Sequence, residues 1–330
     1  MNYILGFVGA AVLAAALAFI VKKIAERFKV LDMPLGDRKI HKKPMPLMGG
    51  AAIFLAFNAV VFGFILLSGA RFENLQMKHL LGVFFGGLWL VLGGVLDDKF
   101  NLKPRWQILF PILAIITVVA AGIGIDWISN PFSRGLLYLD KYVIPLFWWN
   151  GLLYKVTLFA DVFTLLWLLA MIYSTKLLDG LDGLVSGITL IGAIFIFFTA
   201  LTKDAPQYDT ALLALILAGA CLGFLFLNFY PAKIFLGEGG STFCGFMLGV
   251  LSIVSGSKVA ITLMLLALPL FDLARTVARR LLARQSPFKT ADKKHLHHLL
   301  LDRGLSHRSA VLMFYLVTIL LGAIALFFQI

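Results

Sequence analysis

Residues 161–201 read DVFTLLWLLAMIYSTKLLDGLDGLVSGITLIGAIFIFFTAL. Two apolar runs, 161–178 and 183–201, are separated only by Asp179-Gly180-Leu181-Asp182. Each run is long enough to cross a hydrocarbon core of about 30 Å as a helix. Two carboxylates therefore sit in a tight turn at the edge of lipid. Acids so placed are costly and tend to be functional, although a plain polar hinge would also fit. Asp179 and Asp182 are spaced to share a face on one helical turn, and the glycines permit a sharp turn and close approach of a ligand.

The rest of the chain follows the same pattern. Of its 330 residues 61% are hydrophobic and 14% charged, where soluble domains hold about half and about a quarter. Apolar runs near 3–21, 48–68, 79–96, 106–124, 161–178, 183–201, 210–228, 242–254, 258–277 and 309–329 predict an all-α integral membrane protein. It is a single polytopic bundle of about ten transmembrane helices with active-site loops in the cytoplasm. The stretch 126–160, broken by Asn130-Pro131, Gly135, Asp140, Pro145 and Gly151, reads as a long loop with room for a hairpin or an eleventh span. No internal repeat, interdomain linker or cleavable signal peptide is evident. Cys221 and Cys244 lie in apolar runs and read as buried small hydrophobes.

The net charge of +12 would suggest nucleic acid in a soluble protein. Here the loops 22–47, 97–105, 179–182, 229–241 and 278–308 carry 20 of the 29 Lys and Arg, which places them in the cytoplasm and both termini outside. The basic residues then imply anionic partners, phosphates or lipid headgroups, and no nucleic acid.

Five constellations fall on that face. Asp97-Asp98 ends the third span and suits a divalent cation or a general base, or is two solvated acids. The turn at Asp179 and Asp182 is the second. The third, Pro231 to Ser241, has Gly237-Glu238-Gly239-Gly240 leading into a helix; its N–H groups suit phosphate and Glu238 suits Mg²⁺, or it is a flexible turn with Ser241 as an N-cap. The fourth, Asp292-Lys293-Lys294-His295-Leu296-His297-His298, better suits a diphosphate or sugar than zinc, since no closed ligand set accompanies it. A helical pattern over 292–303 is ended by Gly304, and Ser306 can begin the next helix. The fifth is the basic patch Asp37 to Pro44, with His41 and Lys43, which anchors topology or binds phosphate. Together they suit a phosphate or diphosphate held with metal at the membrane surface.

Five ordered segments then resemble the polyprenyl-phosphate N-acetylhexosamine-1-phosphate transferases: RKIHKKPMPLMGG (38–50), LDDKFNLKPRWQ (96–107), LLDGLDGLVSG (177–187), PAKIFLGEGGSTFCGF (231–246) and SPFKTADKKHLHHLLLDRGLSHR (286–308). The His-Leu-His-His form is similar to the WecA/TagO branch, with MraY a more distant relative. The resemblance implies a multi-pass protein of the cytoplasmic membrane. It would transfer a sugar-1-phosphate, of the N-acetylglucosamine type, from a UDP-N-acetylhexosamine to undecaprenyl phosphate. UMP is released and a lipid-linked envelope glycan is begun, with Mg²⁺, or Mn²⁺ in its place, as cofactor. Membrane lipids and a second copy of the chain are further expected partners.

The resemblance also implies roles. Asp97, Asp98, Asp179, Asp182 and His295 would be catalytic. His41, Lys43, Lys176, Gly237, Gly239, Ser241, His297 and His298 would bind substrate. Glu238, Asp97, Asp98 and Asp179 would hold metal. Two departures stand out: Glu238 replaces the family's usual metal-binding Asp, and Lys176 replaces its usual Asn. That lysine can pair with Asp179 or a substrate phosphate, or displace a metal charge. An MraY-like transfer of phospho-MurNAc-pentapeptide, an inactive relative acting as a scaffold, and a secondary transporter are the competing readings. A transporter would place its acids nearer mid-bilayer, often with repeats.

Overall fold

The computed structural model describes residues 2–34, 43–67, 75–129, 135–149, 152–201, 206–256, 259–284 and 295–328. His41 and residues 292–294, both singled out in the sequence, lie outside these.

Helices dominate. In order they are α1 (Tyr3–Arg27), α2 (Gly49–Leu67), α3 (Met77–Phe100), α4 (Pro104–Gln107), α5 (Leu109–Ala120), α6 (Leu158–Leu178), α7 (Leu184–Leu201), α8 (Tyr208–Asn228), α9 (Gly237–Val254), α10 (Val259–Leu265), α11 (Ala267–Leu282), α12 (Leu296–Asp302) and α13 (His307–Phe328). Eight of these are long and apolar enough to cross a membrane: α1, α2, α3, α6, α7, α8, α9 and α13. The run expected at 106–124 is the shorter α4–α5. The run expected at 258–277 is two helices, α10 and α11, broken at Leu266. Pro269 lies just past the break; its ring would clash with the carbonyl four residues earlier in an unbroken helix.

Among the described residues three two-stranded sheets complete the fold: β1 (Leu31–Asp32) with β2 (Met45–Pro46), β3 (Trp127–Ser129) with β4 (Leu136–Tyr138), and β5 (Val143–Trp149) with β6 (Leu152–Thr157). All are antiparallel. The last two form hairpins across 127–157, so the described part of that stretch takes the hairpin reading and forms no further helix.

α9 is the axis of the bundle. Within its apolar window 89% of residues are buried in protein, against 28% for α1 at the periphery. It packs against α2, α3, α6 and α7, while α8 is clasped by α1 and α7. Small residues make this closeness possible, as between helices in lipid. A Cβ on Gly94 of α3 would lie 2.0 Å from the backbone N of Gly239, and one on Gly50 of α2 would lie 2.0 Å from Cα of Gly240. The glycines that suggested a loop before 242 are therefore helical, and α9 begins at Gly237. Ser241 is inside the helix and not its cap; its hydroxyl donates to the carbonyls of Gly237 and Glu238.

Cys221 and Cys244 are free and buried, as expected. Ser306 does open α13: its hydroxyl accepts from the N–H of Ser309 at 3.2 Å. Gly304, at φ +91°, follows α12.

Gly94→Ala is expected to lower the stability of the detergent-solubilised protein by on the order of 1–3 kcal/mol, the usual cost of overpacking. Gly63→Ala, where a Cβ meets nothing within 4 Å, is expected to leave it unchanged. Thermal unfolding of both variants checks this, and equal melting temperatures would contradict the packing described.

Candidate active site

The ends of α3, α6, α7, α9 and α12 carry most of the sequence-predicted residues. Asp97 and Asp98 are in the last turn of α3, Lys176 in the last turn of α6, Asp179 and Asp182 in the α6–α7 turn, and Glu238 in the first turn of α9. His295 caps α12, which carries His297 and His298.

Backbone hydrogen bonds tie these segments together. Phe235 N–H donates to Pro46 O at 2.8 Å, Gly49 N–H to Phe235 O at 3.0 Å and Gly50 N–H to Leu236 O at 2.8 Å. The strand pair β1–β2 thus brings the start of α2, with exposed Lys43 just before it, against the loop that enters α9. Asp182 fastens the other side: its carboxylate accepts from Ala232 N–H at 3.0 Å, and its own N–H donates to His307 Nε2 at 2.8 Å. Asn228 adds to this, accepting from Gly183 N–H and Ser186 and donating to Ile234 O. Asp182 is therefore a residue that holds the loop.

Asp98 is half-buried beneath the same loop. Its Oδ1 accepts from Glu238 N–H at 3.1 Å, satisfying one of the open donors of a helix start. Its Oδ2 is buried without a partner. Gly237, at φ +76°, passes so close that a Cβ there would lie 2.5 Å from Oδ2. A left-handed φ and this contact both demand glycine. Gly237 and Gly239 are thus used for close packing, and the N–H of Glu238 is taken by protein.

The group that borders open space is different. A cavity of about 20 Å³ is lined by Asp97, Gln107, Tyr173, Lys176, Glu238 and Thr242, among others, which is room for about one water molecule. Asp97 accepts from Leu102 N–H at 2.7 Å and from Gln107 Nε2 at 3.0 Å. Lys176 Nζ donates to Gln107 Oε1 at 3.3 Å, lies 5.6 Å from the centre of the Tyr173 ring, and forms an ion pair with Glu238. The result is a chain of contacts, Asp97–Gln107–Lys176–Glu238, across α3, α4, α6 and α9. Exposed Asp179 lies beside Ser241 and within reach of the charge of Glu238.

Mg²⁺ was expected on Asp97, Asp98, Asp179 and Glu238. Among the described residues no group of three or more His, Cys, Asp or Glu is gathered closely enough to hold a metal ion. Asp97 is engaged by Gln107 and Leu102, Glu238 by Lys176, and the open oxygen of Asp98 is walled in by Gly237. As arranged, these residues do not fit a divalent ion.

The histidines form a second layer. His295 Nδ1 lies 2.9 Å from Asp272 Oδ2, and Leu296 N–H donates to Asp272 Oδ1 at 3.1 Å, so Asp272 both orients the ring and anchors the start of α12. Asp272 was missed by sequence reasoning, although an acid in an apolar run was a legible signal. Gln107, Tyr173 and Thr242 were also missed; Gln107 and Thr242 lie inside the quoted motifs 96–107 and 231–246 but were given no role, and nothing local marks Tyr173. His297 is 2% exposed and packs on the second glycine-acid turn: a Cβ on Gly180 would lie 2.2 Å from its Nε2. Burial pushes its pKa down to about 3, helped by the neighbouring His298, His295 and His307. His297 is therefore a neutral ring.

With this geometry in place the comparisons can be weighed. Residues 80–256 match the model of glycosyl transferase family 4. A probable undecaprenyl-phosphate N-acetylglucosaminyl 1-phosphate transferase of Bacillus subtilis is 36% identical over 304 residues, covering 90% of this chain and 77% of the relative. The chain belongs to glycosyl transferase family 4. Another relative, the decaprenyl-phosphate N-acetylglucosaminephosphotransferase of Mycobacterium leprae, is 30% identical over 321 residues, 90% of this chain and 76% of the relative. A Sulfolobus acidocaldarius protein, named a putative UDP-N-acetylglucosamine–dolichyl-phosphate N-acetylglucosaminephosphotransferase, is 31% identical over 224 residues, 65% of this chain and 60% of the relative. The family match spans Asp97, Asp98, Lys176, Asp179, Asp182 and Glu238, while the histidine segment lies beyond it.

The neutral His297 sets a pH dependence. Its folded pKa lies below its unfolded value of about 6.5, so the unfolded chain binds the proton first as pH falls. Stability is expected to decline from about pH 6.5 toward pH 3, by at most roughly 1.4 kcal/mol per pH unit from this residue. Chemical unfolding of wild type and His297→Gln at pH 7 and pH 5 checks this. The gap between the two proteins should shift in favour of the variant at pH 5, and an unchanged gap would contradict it.

Proposed function

We propose that this chain transfers N-acetylglucosamine-1-phosphate from UDP-N-acetylglucosamine to undecaprenyl phosphate, releasing UMP and leaving the sugar on a lipid diphosphate. The observation that carries this is the Asp97–Gln107–Lys176–Glu238 chain lying at the helix ends of an apolar bundle. A soluble nucleotide-sugar and a phosphate whose tail lies in lipid can both reach such a place. Among the relatives cited, the lipid named changes from undecaprenyl to decaprenyl to dolichyl while N-acetylglucosamine stays constant. That constancy supports the sugar over a MurNAc-pentapeptide. The loop charge bias supports a site facing the cytoplasm.

The chemistry is one displacement. An oxygen of the lipid phosphate attacks the phosphorus that bears the sugar, the P–O–P bond breaks, and UMP leaves with the bridging oxygen. Catalysis of this kind is positioning plus charge stabilisation. Lys176 borders the cavity and offers positive charge to the equatorial oxygens. Asp97, held by Gln107, is placed to orient the attacking phosphate. Asp98 and Asp182 hold the loop into α9, and Asp272 orients the His295 ring. A lipid phosphate is already a competent nucleophile, which supports direct attack over an aspartyl-phosphate intermediate.

The test uses purified protein, undecaprenyl phosphate and labelled UDP-sugars, reading UMP release and the lipid product. UDP-N-acetylglucosamine is expected to turn over and UDP-MurNAc-pentapeptide to be refused. Lys176→Met is expected to lower turnover by about 10²-fold, the scale of losing one preorganised charge donor. Absence of turnover with every sugar would contradict the proposal and favour a binding protein.

A further inference from the structure

The two departures from the family pattern, Lys176 and Glu238, are partners in space. They lie far apart in sequence and on different helices, yet their side chains form an ion pair, with exposures of only 20% and 24%. Each makes sense in the presence of the other. The extra methylene of Glu238 extends the carboxylate toward α6, and the lysine puts a fixed positive charge against it. Gln107 Oε1 and the face of Tyr173 hold the same ammonium. Gln107 in turn binds Asp97, so that one lysine faces both acids that line the cavity.

Three observations bear on a divalent ion at this place. The Lys176 ammonium, held by Gln107 Oε1, already occupies the place beside Glu238 that a carboxylate-held cation would take. An ion on Glu238 would sit against the Lys176 ammonium, a like charge at contact distance in a partly buried site. Mg²⁺ demands octahedral ligands near 2.1 Å and keeps several waters, whereas the described carboxylates form no cluster of three.

We propose that Lys176 is a resident cation that stands in place of a divalent ion at Glu238, so that the donor's diphosphate is bound by an ammonium and not by a carboxylate-held metal. This rests on the nucleotide-sugar reading given above. Lysine is an established phosphate binder as a point charge. A diphosphate arriving at the cavity would meet Lys176 already oriented by Glu238, Gln107 and Tyr173. Lys176→Asn with Glu238→Asp would remove the ammonium, shorten the acid and open a place for a hydrated ion.

Two measurements test this on the full-length protein in detergent. The first is UDP-N-acetylglucosamine affinity by calorimetry, in EDTA and in Mg²⁺. Wild type is expected to change by less than about threefold, and the double variant Lys176→Asn/Glu238→Asp to lose about tenfold or more in EDTA and recover in Mg²⁺. The second is Mn²⁺ binding by electron paramagnetic resonance without donor, expected to be weaker in wild type than in the double variant. Wild type that loses the donor in EDTA and regains it with Mg²⁺, or that binds stoichiometric Mn²⁺, overturns the resident cation and leaves the transferase reading standing. Wild type that binds no donor in either condition overturns the nucleotide-sugar reading, and the resident cation with it.

Discussion

The first turn of α9 is the point on which the rest of the structure depends. It is buried at the end of the bundle, where open backbone donors would be costly. Asp98 of α3 takes the N–H of Glu238, and the glycines of α9 pack backbone to backbone on Gly50 and Gly94. A larger residue at any of these positions would push α2 or α3 away. That closeness brings the last turn of α3, the last turn of α6 and the first turn of α9 within one side-chain length of one another.

Charge follows from this geometry. Five acids lie near these ends, Asp179 exposed among them, and a bundle cannot gather them unopposed. The structure divides them by task. Asp98 and Asp182 each give one oxygen to a backbone N–H and hold the loop. Asp97 and Glu238 face the cavity, with Lys176 between them. A partly buried ion pair is weak evidence for stability, because desolvation offsets much of the attraction. Its value here is in placement: an ammonium and two carboxylates are held in register where phosphates would arrive. The histidine layer is arranged by a buried acid from a different helix, Asp272, and closes over the glycine-acid turn through His297.

The gross fold was legible because lipid imposes a length on each apolar run, and the shared face was legible because lysine and arginine in loops are biased by side. The five motifs fall on one expected face for the same reason. What was not legible depended on contacts between distant residues. The glycines at 237–240 read as a loop by local preference, yet they are helical because Gly50 and Gly94 approach them. Lys176 and Glu238 each looked like an isolated departure, since nothing local says that they touch. Asp97, Asp98, Asp179 and Asp182 are equal as letters, and only hydrogen bonds separate those that hold the loop from those at the cavity. Asp272 was visible as an acid in an apolar run but carried no motif. Pro269 marked the break between α10 and α11, and was passed over because the run was long enough to span.

The central claim is that Lys176 and Glu238 act as one unit. The most direct measurement is a double-mutant cycle on thermal stability with Lys176→Met, Glu238→Gln and the combination. Removing one partner leaves an uncompensated charge in a confined site, while removing both does not. The account predicts that each single variant melts below wild type and that the combined variant recovers most of the loss. Additive losses in the combined variant would contradict it.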